Sequence, residues 1–223
     1  MKRLFTFCTA SFILFAAGAQ KTTSSNPVSN DPAAKKILDA VSAKFKTYAA
    51  PQAGFTYKIE NAQGKALSSK KGSVIMKGTK YRLSIPGMEI YSDGRTNWNF
   101  DKSANEVTVK DVDAASGEIT PQKLFTNFYD KDFLYKLNGE KKEGAKVLQE
   151  VELTPTNKNR PYHKVYIWID KATETFYSAR ILEKSGNRYS YTINTFLPKT
   201  AVSDATFIFD KKKFPGVEVV DLR

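Results

Sequence analysis

The sequence predicts a mainly β protein in which about eleven antiparallel strands curl into a barrel, and amphipathic helices close an apolar cavity. Three observations carry this. From Ala53 onward apolar and polar residues alternate with a period of two. Turn signals at Gln63-Gly64, Gly78, Asp93-Gly94, Asn138-Gly139 and Gly186-Asn187 break that pattern at short intervals. Two stretches with helical spacing carry an apolar side that needs a surface to rest on.

The elements follow in chain order. Lys2 and Arg3 precede an apolar run from Leu4 to Ala17 and the small residues Ala17-Gly18-Ala19, the layout of a secretory signal peptide cleaved after Ala19. The run is too short for an ordinary membrane span, and no other segment approaches the roughly 20 apolar residues required. Residues 1–19 are thus expected to be a signal peptide, 20–30 a flexible polar leader, and 31–223 a single domain without repeats or a Gly/Pro-rich linker. Cys8, the only cysteine, lies within the apolar run, so the mature chain has no thiol for disulfides, catalysis or metal binding.

Over 31–48, Asp31 is the expected N-cap and Pro32 the first helical residue. Ala34, Ile37, Leu38, Val41, Phe45 and Tyr48 fall on one stripe of the helix, opposite lysines. Strands then follow: Phe55, Tyr57 and Ile59 alternate in the first, and Tyr81, Leu83 and Ile85 in another. Further candidates cover 73–77, 88–91, 96–100, 106–111, 133–137, 146–153, 163–169, 175–183, 187–196 and 206–209. At Asp93-Gly94, a three-residue loop with Gly94 left-handed sets Met88 opposite Trp98 and Ile90 opposite Thr96, keeping apolar residues on one face with Phe100. The stretch from Thr120 to Tyr135 reads as a short helix with Thr120 as N-cap and Pro121 next; Leu124, Phe125 and Phe128 form its apolar side. So short a helix is marginal alone and must rest on the sheet or on something the sheet holds.

Reactive chemistry is missing from the pattern. His163 is the one histidine, with no metal-ligand spacing around it, and no nucleophile elbow, phosphate-binding glycine loop or nameable carboxylate pair is present. The chain therefore reads as a binder with no catalytic residues, metal or cofactor. Its net charge is +12, and loss of Lys2 and Arg3 would leave +10. The lysines are scattered in small groups such as Lys70-Lys71, Lys141-Lys142 and Lys211 to Lys213, which fits a solvated surface or docking to acidic partners and lipid headgroups. Export argues against nucleic acid.

Two stretches together resemble a known family. Residues 91–109, "YSDGRTNWNFDKSANEVTV", pair Ser-Asp-Gly with two aromatics and a Val-rich strand. Residues 165–196, "VYIWIDKATETFYSARILEKSGNRYSYTINTF", with the closing "FIFDKKKFPGVEVVDLR", supply a Trp-Ile-Asp strand end, a Gly-Asn turn and Phe-x-Phe followed by Pro-Gly-Val. Both are similar to the LolA family of periplasmic lipoprotein carriers. The resemblance implies an unclosed β-barrel of about eleven strands whose apolar cavity holds the acyl chains of lipoproteins. It further implies a periplasmic monomer that meets an inner-membrane lipoprotein release complex and an outer-membrane acceptor. The related lipid-anchored receptor LolB has an N-terminal cysteine that this chain lacks. Where proteobacterial members carry a Lys-Arg-Pro whose arginine latches the lid, this sequence has Lys77, Gly78 and Thr79. Arg82 is not a substitute, because alternation points it outward.

On this reading the expected cavity walls are Phe55, Tyr57, Ile59, Val74, Met76, Tyr81, Leu83, Ile85, Met88, Ile90, Trp98 and Phe100. The expected lid is Leu38, Val41 and Phe45 with Leu124, Phe125 and Phe128. Three other readings stay open at this level: a carrier or sensor of another lipid on the same fold, a small outer-membrane barrel, and an enzyme whose polar residues assemble only in space.

Overall fold

The computed structural model describes residues 30–113 and 129–223. Helix α1 spans Pro32–Lys46. Strands β1 to β6 are Gln52–Glu60, Ala66–Lys77, Lys80–Ile85, Met88–Ser92, Thr96–Asp101 and Glu106–Asp111. A single helical turn, α2, covers Tyr129–Asp132. Strands β7 to β12 are then Phe133–Glu143, Lys146–Pro155, Tyr162–Asp170, Thr175–Glu183, Arg188–Leu197 and Glu218–Asp221.

All twelve strands form one curved sheet in the order β12-β6-β5-β4-β3-β2-β1-β11-β10-β9-β8-β7. Its edges, β12 and β7, are not paired with each other, so the barrel is open. Strands adjacent in the sheet are consecutive in sequence except at β12–β6 and at β1–β11, the latter being the pairing that brings the two halves of the chain together. Pairing is antiparallel throughout apart from β12, which returns beside β6 in parallel.

Helix α1 forms where the sequence places it. Asp31 is the N-cap, its Oδ1 accepting from Ala33 N–H at 2.8 Å and Ala34 N–H at 3.4 Å, and Pro32 occupies the first turn, where its missing N–H costs nothing. Ala34, Leu38 and Val41 are buried against the sheet, and Ile37 and Phe45 pack beside them.

The structure corrects four elements of the sequence reading. Residues 206–209, expected as a strand, contain the end of a 3-10 turn over Asp204–Phe207, and the chain's last strand is β12. Asn138-Gly139 is a bulge inside a continuous β7, and the reversal comes later, between Glu143 and Lys146. Within the expected 120–135 helix, Phe133 and Tyr135 lie in β7, Tyr129 begins α2, and 120–128 fall outside the described residues.

The fourth correction concerns the Asp93-Gly94 hairpin. Ser92 pairs with Asn97 and Met88 with Asp101, so the loop has four residues, not three. The Asp93 side chain organises it, Oδ1 accepting from the N–H groups of Arg95 and Thr96, both at 2.8 Å, while Gly94 takes a φ of +92°. Relative to the expected pairing, Met88 faces a residue three positions further along, an odd shift, and an odd shift turns every side chain of β5 to the other face.

Candidate ligand cavity

Cross-strand partners share a face, so the register defines the cavity wall strand by strand. Phe55 pairs with Ile193, Tyr57 with Tyr191 and Ile59 with Tyr189. On the other side of β1, Ala53 pairs with Val74, which pairs with Leu83, which pairs with Ile90. Through β10, β9, β8 and β7 the same face carries Ala179, Ile167, Val151 and Leu137, with Val165, Leu153 and Tyr135 alongside. One contiguous apolar cluster covers this concave face, and α1 lies on it.

Of the expected wall residues, Phe55, Val74, Met76 and Tyr81 are buried in this cluster, and Tyr57, Leu83, Ile85 and Ile90 pack against it. Ile59 is half-buried on the same face, and Met88 is 36% exposed at the strand end. Trp98 and Phe100 are corrected: they lie on the opposite face. Trp98 pairs with Tyr91 and Val109, and Phe100 with Glu89 and Val107. There they join a second cluster with Phe209, Phe214 and Val217 of the C-terminal segment. The register shift of the hairpin is the reason. Of the expected lid, Leu38 and Val41 are buried and Phe45 packs on the wall, whereas Leu124, Phe125 and Phe128 lie outside the described residues.

The wall contributed by β7 to β11 was not assigned from sequence. Phe133, Tyr135, Val151, Leu153, Val165, Ile167, Ile169 and Phe176 belong to the main cluster. The signal was available, since these strands alternate as clearly as β1. What the sequence lacks is the β1–β11 pairing that puts them on the same face as Phe55.

A pocket of about 210 Å³ opens between the C-terminal end of α1 and strands β10 and β11. Val41, Phe45, Phe176, Ile193 and Phe196 make its apolar part; Lys44, Lys146, Asp170 and Glu174 stand among its polar lining. Lys146 donates to Asp170 at 2.5 Å, and that hydrogen bond outweighs burial in holding the Asp170 carboxyl below its usual range. Apolar lining beside charged groups suits the end of an amphiphile. The pocket is smaller than most small-molecule sites, which usually run from about 300 Å³ upward.

Helix α1 is fastened to the edge strand through Asp31 rather than through the β2–β3 turn. The Asp31 N–H donates to Tyr135 O at 3.1 Å and Oδ2 accepts from Leu137 N–H at 3.0 Å, so this residue caps the helix and pairs with the open edge of β7. The Leu137 hydrogen bond is the main cause that holds the Asp31 carboxyl below its ordinary value. Further along, Tyr129 Oη donates to Asp39 at 2.7 Å, and Lys44 donates to Thr173 O at the far end. In the β2–β3 turn, Lys77 and Lys80 pair with Asp204 at 2.8 and 2.6 Å instead. Arg82 points away from the cavity, to Glu89 at 2.8 Å.

His163 is exposed on β9, and among the described residues no group of three or more His, Cys, Asp or Glu side chains is placed to hold a metal. Nor is any described helix long and apolar enough to cross a membrane.

Comparison with known proteins agrees with this architecture. No curated protein matches the chain. Among solved structures, an uncharacterized conserved protein from Thermus thermophilus superposes with a TM-score of 0.57 at 13% identity, over 85% of this chain and 99% of that one, which is a likeness of fold. A LolA superfamily protein from Nitrosomonas europaea gives 0.44 at 16% identity, over 80% of this chain and 98% of that one. The Mycobacterium tuberculosis lipoprotein LppX gives 0.48 at 12% identity, over 78% and 100%. The family model described as outer membrane lipoprotein carrier protein LolA matches residues 45–210, three quarters of the sequence and most of the sheet. The chain belongs to the LolA family.

Proposed function

We propose that this protein is an exported, monomeric carrier that shelters the acyl chains of lipoproteins on its concave face and takes them from the inner to the outer membrane. The observation that supports it most is the continuous apolar face running from Ile90 through Phe55 to Leu153 beneath α1, in a chain of the LolA family. Burying an acyl methylene is worth roughly 0.8 kcal/mol, so a chain of about sixteen carbons represents on the order of 12 kcal/mol against free diffusion in water. A wall of aromatic and branched aliphatic side chains offsets most of that without fixing the chain's identity. The signal peptide over 1–19, the leader over 20–30 and the domain over 31–223 belong to this proposal, as do a periplasmic location, a release complex and an acceptor. The scattered lysines would aid docking to acidic partners, giving binding that weakens with salt. Catalysis has no part in it.

The test is to add purified residues 20–223 to spheroplasts and examine the soluble fraction. A stoichiometric complex with triacylated lipoprotein is expected. No release, with a different lipid found in the purified protein by mass spectrometry, would move the function to another lipid cargo.

A further inference from the structure

Three tyrosines stand out on the concave face. Tyr57 of β1 stacks on Tyr191 of β11 with ring centroids 5.0 Å apart at 26°, and on Tyr189 at 6.1 Å and 11°. The register explains the grouping: Tyr57 pairs with Tyr191, and Ile59, the next residue on that face, pairs with Tyr189. Tyr57 and Tyr191 pack against the main apolar cluster.

Their hydroxyls are the unusual feature. Among the described residues, none of the three has a hydrogen-bond partner. Tyr129, Tyr91 and Tyr177, by contrast, donate to Asp39, Glu89 and Glu143. All three side chains are half-buried and none of their hydroxyls is among the fully enclosed polar atoms that lack a partner, so three adjacent donors on one face are left for an acceptor that a ligand brings.

The pocket rim carries Lys44, Lys146, Asp170 and Glu174, but along the concave face of β1, β2 and β11 the wall itself changes in polarity away from it. Near its pocket end the same strands carry Ala53, Ile193 and Phe196. From there to Ile59 is six residues along β1, roughly 20 Å at the rise of a strand. Over that length β2 changes on the same face from Met76 and Val74 through Gly72 to Lys70 and Ser68, Lys70 standing opposite Tyr57 and Ser68 opposite Ile59. The charges at this end are of both signs: Lys70, and Glu183, whose carboxylate adds to burial and to neighbouring tyrosines in raising the Tyr57 and Tyr191 phenols, Tyr57 to about 12. These phenols therefore stay neutral and able to donate, and a strongly anionic headgroup would face Glu183.

We infer that Tyr57, Tyr189 and Tyr191 form a polar subsite at the end of the cavity remote from the pocket, where their hydroxyls donate to the carbonyl oxygens of the ester-linked glycerol that joins a ligand's acyl chains. This rests on the lipid-carrier reading and sets the ligand's orientation: chains toward Phe45 and Phe196, neutral ester head toward the tyrosines.

The experiment compares a diacylglycerol with its diether analogue, which keeps the chains and loses the carbonyls. Both are titrated into the wild-type protein and into the triple variant Tyr57→Phe/Tyr189→Phe/Tyr191→Phe, which keeps the rings. The wild type is expected to bind the diester more tightly, and the variant to lose about tenfold or more of that affinity while its diether affinity stays the same. Equal wild-type affinity for the two lipids, or a variant that loses both equally, overturns the subsite and leaves the carrier standing. Wild-type protein that binds neither overturns both. Should the triple variant unfold, Tyr57→Phe and Tyr191→Phe singly carry the same comparison, each expected to lose a few-fold in diester affinity alone.

Discussion

Replacing Asp31 by Ala tests how the cover of the cavity is held. Asp31 does two jobs with one carboxylate: Oδ1 caps α1 through Ala33 and Ala34, and Oδ2 accepts from Leu137 N–H on the edge strand at 3.0 Å. Loss of an N-cap costs about 0.5–2 kcal/mol. Loss of a hydrogen bond across to another element adds about 1 kcal/mol, so Asp31→Ala should lower stability by about 1.5–3 kcal/mol. Asp31→Asn, which keeps an acceptor and a good cap, should lose less than half of that. Urea unfolding gives the stability, and amide exchange over 32–46 shows where it is lost: α1 should exchange faster while the β8–β9 core stays protected. The Asp31 carboxyl is held below its ordinary value, so its contribution is complete above the unfolded-state pKa of 3.8 and fades as pH falls below it. The Ala variant should thus approach the wild type in acid. Unfolding curves that differ by less than about 0.5 kcal/mol at neutral pH, the low end of the cap's worth, with α1 exchange unchanged, would refute the clamp.

Other expectations follow from the same structure. Glu89 is buried, a cost that would raise its pKa, yet hydrogen bonds from Lys102, Tyr91 and Arg82 outweigh it and bring the group down to about 2. Its stabilisation is therefore present above the unfolded value of 4.5 and lost toward pH 2; Glu89→Gln should lower stability at pH 7 and flatten the acid-unfolding profile across that window. Gly72→Val places a Cβ 2.6 Å from Phe55 Cζ, 2.7 Å from Ile85 Cγ2 and 2.8 Å from Ser84 O, so it should cost about 1–3 kcal/mol in urea and tilt Phe55 into the cavity. Leu38→Ala removes a side chain that is 5% exposed and should cost about 2–5 kcal/mol by the same measurement. Phe45→Ala, at the pocket, should reduce lipid affinity more than it shifts the thermal midpoint; equal losses would make Phe45 a plain packing residue.

Much of this protein was legible in the sequence because the signals are local. Alternation at Phe55, Tyr57 and Ile59 specifies a strand with one apolar face, and Asp31-Pro32 with the stripe Ala34, Leu38, Val41 specifies where α1 starts and which side it buries. These follow from backbone geometry and side-chain spacing within a few residues. Which apolar face meets which other is a separate matter. Trp98 and Phe100 alternate as properly as Tyr57, yet a four-residue loop set by the Asp93 carboxylate turns them to the far side of the sheet, where Phe209 and Phe214 return over a hundred residues later to cover them. The β1–β11 pairing likewise joins residues some 140 positions apart, and with it the stacking of Tyr57 on Tyr191 and the second half of the cavity wall. The sequence by itself determined most of the strands, the helix and its cap, and the family; the 206–209 strand and the closing β12 it did not. Only the tertiary structure decided the register, the membership of each face and the second role of Asp31, because those depend on long-range hydrogen bonds that no local pattern encodes.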